Sequence, residues 1–127
     1  MSDNQLIVKE LLEQERIQEA LPLIIEMIEE DVNDPVALNF RGYAHLLLED
    51  EGTAYQFFKR SVDLSPNCGN LTNLGKCLNE MGKHEAALQL FMQAAELNPS
   101  YAMTYANASA TLIQMSQWDD AKAMCEM

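Results

Sequence analysis

An all-α solenoid, a right-handed superhelix of about 3.5 to 4 stacked antiparallel helix hairpins, is the fold class this sequence predicts. Three observations predict it. A small residue recurs at Val8, Gly42, Gly75 and Ser109, at intervals of 34, 33 and 34 residues. Each is followed three positions on by Leu11, His45, Leu78 or Leu112, and twelve positions on by an alanine: Ala20, Ala54, Ala87 and Ala121. Four residues later stands a packing residue or a thiol, at Ile24, Phe58, Phe91 and Cys125. A unit of this length, with small residues in fixed slots, is one helical hairpin that buries its apolar side only against its neighbours.

The units run over 1–34, 35–67, 68–101 and 102–127, the last one truncated. In each, a first helix of about 14 residues must approach its antiparallel partner to roughly 8–10 Å, which requires short side chains where the two cross. Gly42, Gly75 and the alanines meet that need, and Ile24, Phe58 and Phe91 fill the space between one hairpin and the next. Gly82 marks the turn inside the third unit, whereas Gly52 falls nearer the start of a returning helix. Between units, Asn-Asp-Pro at 33–35, Ser-Pro-Asn at 65–67 and Asn-Pro-Ser at 98–100 stop one helix, because proline cannot continue the backbone ladder.

This register resembles the tetratricopeptide repeat family. The third unit carries the resemblance best, through Leu71, Leu74, Gly75, Leu78, Gly82, Ala87, Phe91, Ala94, Leu97 and Pro99. The second matches at Leu38, Gly42, Ala54, Phe58 and Pro66 but departs at Arg41 and His45, where apolar residues are usual. The first keeps Ile7, Leu11, Ala20 and Ile24, and the fourth Tyr105, Leu112, Trp118 and Ala121. The repeats are also similar to those of protein O-linked sugar transferases, where asparagines at one groove slot hold substrate peptide. Here that slot holds Leu6, Phe40, Asn73 and Asn107, so two units match. The chaperone-tail binders of the family use lysine, asparagine and arginine as a carboxylate clamp. Gln5, Phe40, Gly69 and Asn73 stand at those slots, which disfavours that ligand.

At 127 residues and 48% hydrophobic content the chain suits one domain with a continuous core. No apolar run approaches the roughly 20 residues that span a bilayer. The opening Met-Ser-Asp-Asn-Gln has no secretory pattern, and the three cysteines form no metal-ligand spacing, so Cys68, Cys77 and Cys125 read as reduced thiols in a cytoplasmic protein. Cys77 and Cys125 are expected on packing faces and Cys68 in a linker. Of the net charge of −12, the first unit carries −8, with ten acids against two bases. Such a field repels nucleic acid and anionic membrane and favours a basic partner.

Enzyme motifs are missing: there is no Gly-rich phosphate loop, no His-Glu-x-x-His and no Cys-x-x-Cys. His45 and His84 occupy packing slots of successive units and read as structural, His45 as half-buried and hydrogen-bonded. No catalytic, cofactor-binding or metal-ligating residue is therefore expected.

What remains is the concave side, lined by the first helices. Beside the core stripe of each, a second stripe spaced i, i+4, i+7 faces the hollow. The residues placed there are Leu6 and Lys9; Asn39, Phe40, Tyr43 and Leu47; Thr72, Asn73, Lys76 and Asn79; and Ala106, Asn107 and Ala110. Gln5, Leu12, Leu46, Glu80 and Gln114 accompany them. An asparagine offers a donor and an acceptor to a peptide unit whatever the ligand's sequence, while Phe40, Tyr43 and Leu6 would supply pockets.

These features predict a module that binds an extended protein or peptide segment without catalysis. The alternatives are the substrate-recruiting arm of a larger glycosyltransferase, or a small acidic chaperone of a secreted bacterial protein. An apolar edge of Leu112, Ile113, Met115, Met124 and Met127 is left at the end. It predicts either that this is the amino-terminal part of a longer protein, the favoured reading, or self-association through that edge.

Overall fold

The computed structural model describes residues 2–126, leaving aside the side chains of Trp118, Ala121 and Glu126. The packing roles assigned above to Trp118, Ala121 and Met127 lie outside the described residues. Seven helices follow one another among those residues: α1 (Asp3–Glu13), α2 (Ile17–Glu30), α3 (Pro35–Leu47), α4 (Glu51–Leu64), α5 (Cys68–Glu80), α6 (His84–Leu97) and α7 (Ala102–Glu126). No strand occurs among them, and no helix is long and apolar enough to cross a membrane.

Sequence-local chemistry sets most boundaries. Ser2 caps α1 in a reciprocal box with Gln5, Asp34 caps α3 just before Pro35, and Asn67 caps α5 in a box with Asn70. The hairpin turns share one device. The residue seven positions after the small slot is left-handed in the first three units, Glu15 (φ 57°), Glu49 (φ 61°) and Gly82 (φ 83°). That conformation frees the chain to reverse at the end of a helix.

Each helix packs on the next, and α1–α3, α3–α5 and α5–α7 also touch, whereas α2, α4 and α6 do not touch one another. Odd-numbered helices that meet and even-numbered helices that splay make a curved stack with α1, α3, α5 and α7 on its inner side. The periodic slots become the core. Val8, Ala20, Ile24, Ala54, Phe58, Ala87 and Phe91 are all buried. A Cβ built on Gly42 would lie 2.6 Å from Cδ1 of Phe58, and one on Gly75 would lie 2.5 Å from Cε1 of Phe91. Each glycine is thus a notch that seats the ring sixteen residues on.

The two family-breaking residues of α3 have a common explanation. The Arg41 guanidinium carbon lies 4.6 Å from the centre of the Phe57 ring, and His45 stacks on the same ring at 5.8 Å and 6°. The hydrogen bond expected of His45 is absent: Nε2 is buried without a partner, and Nδ1 stands 3.7 Å from Asp50. Burial and the Arg41 charge, outweighing Asp50, hold the imidazole below its ordinary pKa. A depressed histidine stabilises the fold above its unfolded pKa of about 6.5 and loses that contribution as pH falls through the lower folded value. The urea midpoint should therefore drop on acidification below about pH 6.5 more steeply in the wild type than in His45→Leu. Parallel pH profiles of the two proteins would remove this account.

Three expectations are corrected. The fourth unit is not a truncated hairpin: α7 runs unbroken from Ala102 to Glu126, and Ser116, seven past Ser109, is helical where the other units reverse. No glycine or proline interrupts that segment. Cys68 belongs to α5 rather than a linker, and Cys125 is exposed while Cys77 is buried. Burial first, then Glu80 and Glu51, push the Cys77 thiol up to about 11, so it stays protonated.

Candidate functional site: the concave groove

On the inner side, one cavity of about 290 Å³ is lined by residues of all four inner helices. Lys9, Leu12 and Glu13 come from α1, Asn39, Phe40 and Tyr43 from α3, Asn73 and Lys76 from α5, and Met103 and Asn107 from α7. Tyr101, in the lead-in to α7, completes the wall. No residue of α2, α4 or α6 contributes, as the curvature requires. Eight of the residues that sequence spacing put in or beside the hollow-facing stripe therefore meet in one place: Lys9, Leu12, Asn39, Phe40, Tyr43, Asn73, Lys76 and Asn107.

The amides are already connected. Asn73 Nδ2 donates to Asn39 Oδ1 at 3.1 Å. Asn39, one position before Phe40, thus joins Asn73 across the groove. The bond uses one Asn73 amide proton, so Asn73 keeps its Oδ1 and its second amide proton, and Asn39 keeps both of its own. Phe40 and Tyr43 are half-buried and pack on the core between the first two hairpins, which fixes their rings. Burial, with Glu15 and Glu13 nearby, raises the Tyr43 phenol, so it remains a neutral donor.

A second depression adjoins the first and shares Tyr43 and Lys76 with it; Leu46, Leu47, Glu49, Glu51 and Glu80 complete it. Three carboxylates face one ammonium there. Burial is the main reason the Glu80 carboxyl is raised; Glu51 and Glu49 add to it and Lys76 opposes them. A cation arriving at this rim would relieve that crowding.

The remaining predicted residues lie elsewhere. Leu6 is exposed but outside both depressions, as are Ala106 and Ala110. Asn79 is held by His84 and by Gln114, to which its Nδ2 donates at 2.8 Å. Thr72 is not a groove residue: it is buried under α7, its hydroxyl 2.8 Å from that of Thr104. Its angular position on α5 is the one α7 covers, and periodicity gives an angle without saying which flank a neighbour occupies. Glu13, Tyr101 and Met103 were not legible as lining, since they come from a helix end, a linker and the first turn of α7. Among the described residues no group of three His, Cys, Asp or Glu is placed to hold a metal ion.

Comparison with known proteins agrees with this architecture. Two tetratricopeptide repeat models match, one over residues 36–68 and one over 71–101, together just over half of the chain. The small glutamine-rich tetratricopeptide repeat-containing protein 2 of Mycosarcoma maydis is 21% identical over 94 residues, which cover 73% of this chain and 27% of that protein. The chain spans about a quarter of that curated relative's length. Among solved structures, the first TPR domain of human RPAP3 superposes with a TM-score of 0.82 at 16% identity, over 92% of this chain and 93% of that one. The Sgt2 TPR domain from Aspergillus fumigatus gives 0.82 at 12%, over 92% and 80%. The first TPR of Spaghetti (RPAP3), bound to the HSP90 peptide SRMEEVD, gives 0.77 at 19%, over 91% and 96%. With repeats matched in its second and third units and hairpins that repeat the same notch and ring, this chain belongs to the tetratricopeptide repeat family.

Proposed function

We propose that the chain is a binding module that takes an extended segment of a partner protein into its concave groove and performs no catalysis itself. The observation that carries this reading is the convergence of Lys9, Asn39, Phe40, Tyr43, Asn73, Lys76 and Asn107, from four separate repeats, on one cavity. At about 290 Å³ it is at the lower limit for a small-molecule site and suits one or two anchoring side chains of a longer ligand.

In this reading an apolar side chain of the ligand enters between Phe40, Tyr43, Tyr101 and Met103, and its backbone pairs with Asn73 and Asn107. A lysine or arginine of the ligand reaches the Glu49, Glu51 and Glu80 rim, as the acidic balance of the chain favours. The Spaghetti domain similar to this one carries an HSP90 peptide, which supports peptide recognition on this fold. Gln5, Phe40, Gly69 and Asn73 at the clamp slots argue for a different ligand here. Sequence-tolerant amides would equally serve the substrate-recruiting arm of a larger glycosyltransferase.

The test is an array of extended peptides that combine one large apolar residue with a lysine or arginine, followed by anisotropy titration of the best binder. Asn73→Ala with Asn107→Ala removes two side-chain amides and should weaken binding about 10- to 30-fold at unchanged helical content. Wild-type affinity in the folded double variant would refute the amide contacts.

A further inference from the structure

The fourth unit carries a sequence pattern and a backbone that differ from each other. Ser109 and Leu112 stand in first-helix slots, and Ala121 and Cys125 stand in returning-helix slots, at the offsets of Gly75, Leu78, Ala87 and Phe91. Yet the backbone never returns, because α7 continues through Ser116. The face of α7 that a returning helix would cover is consequently open. Leu112 is 55% exposed and Ile113 58%, whereas Leu78, the equivalent of Leu112, is 7% exposed in a unit closed by α6.

A second, independent observation is that this part of α7 is depleted of charge. Between Glu96 and Asp119 there is no charged residue at all, in a chain that is 22% charged. Each of α1 to α6 carries Asp, Glu, Lys or Arg within its length, while the first two thirds of α7 carry none. Depletion of charge around exposed large apolar residues is the compositional mark of an interface core.

The pairing register identifies the occupant. In closed hairpins the small slot meets the residue sixteen positions on, Gly42 with Phe58 and Gly75 with Phe91. The same rule pairs Ser109 with Cys125. Between two antiparallel copies of α7 this register is self-complementary. If Ser109 of one chain meets the partner's Cys125, its own Cys125 meets the partner's Ser109, about a two-fold axis at Gln117. We infer that two copies of this chain exchange the distal halves of α7, so that each supplies the returning helix that completes the other's fourth hairpin. The interface is isologous, and the exchange leaves Ser116 helical, as it stands in α7. This inference does not depend on what the groove binds.

The experiment uses the whole chain. Sedimentation velocity should give a dimer at high micromolar concentration. Ser109→Cys in a Cys68→Ser background, treated with a short bis-maleimide, should give a dimer-sized band on a denaturing gel, with peptides linking position 109 to the partner's Cys125. Cys77 is buried and protonated and stays out of the reaction. Ser116→Gly, which eases closure within one chain, should raise the dimer dissociation constant roughly tenfold or more. A monomer at high concentration, a crosslink confined to one chain, or a dissociation constant unmoved by Ser116→Gly would each overturn the exchange.

Discussion

Gly75→Val is expected to destabilise the chain by about 3 kcal/mol, read as a lowered urea midpoint at unchanged slope. A Cβ at position 75 would lie 2.5, 2.9 and 3.0 Å from three atoms of the Phe91 ring, which is itself only 1% exposed and has nowhere to retreat. The gain from replacing glycine inside a helix, at most about 1 kcal/mol, does not offset the overlap. The first hairpin shows how the same volume is divided otherwise, since Val8 and Ile24 fill these two slots and both are fully buried. Phe91→Ile should therefore rescue much of the loss. Alone it leaves a void costing about 1–3 kcal/mol, but with Gly75→Val the double variant should beat the sum of the single ones by at least about 1 kcal/mol. Additive effects would mean that the ring and the notch do not form a unit.

Asn70→Ala should cost about 2–3 kcal/mol, because one buried amide holds together the junction between the second and third hairpins. Its Nδ2 donates to Ser61 Oγ at 3.1 Å and to the Ser65 carbonyl at 2.9 Å, and its Oδ1 accepts from the Asn67 backbone at 2.9 Å. Ser61 in turn donates to the Pro35 carbonyl at 2.7 Å, at the start of α3. Asn70 and Ser61 are both fully buried, so water cannot replace what truncation removes. Asn70→Asp keeps the acceptors, loses both donors and buries a charge, and should be no milder. Thermal melts of the two variants that overlay the wild type would show the network to be idle.

The hairpin architecture was legible because it rests on volume. A notch must recur wherever a ring recurs, and Gly42, Phe58, Gly75 and Phe91 advertise that geometry in one dimension. The groove was legible in its middle, where Asn39, Phe40, Tyr43, Asn73 and Lys76 lie on helices with a neighbour on either side. It was less so at its ends. Thr72 was assigned to the hollow because its angle on α5 is right, but the covering helix that buries it comes from a different unit. Glu13 and Tyr101 lie at a helix end and in a linker, where no periodicity speaks. The reversal in the fourth unit failed for a related reason. Glu15 and Glu49 adopt left-handed backbone without any local signal for it, so the sequence alone does not tell Ser116 apart from them.

The hydrogen bond between Asn73 and Asn39 also bears on how tightly a groove of this kind can hold a flexible chain. Immobilising a polar side chain at an interface ordinarily opposes complex formation by about 0.5–1.5 kcal/mol each. Here the two amides lose their rotational freedom when the hairpins stack. The entropy of ordering them is thus charged to folding, so a segment bound as proposed would meet a rigid template.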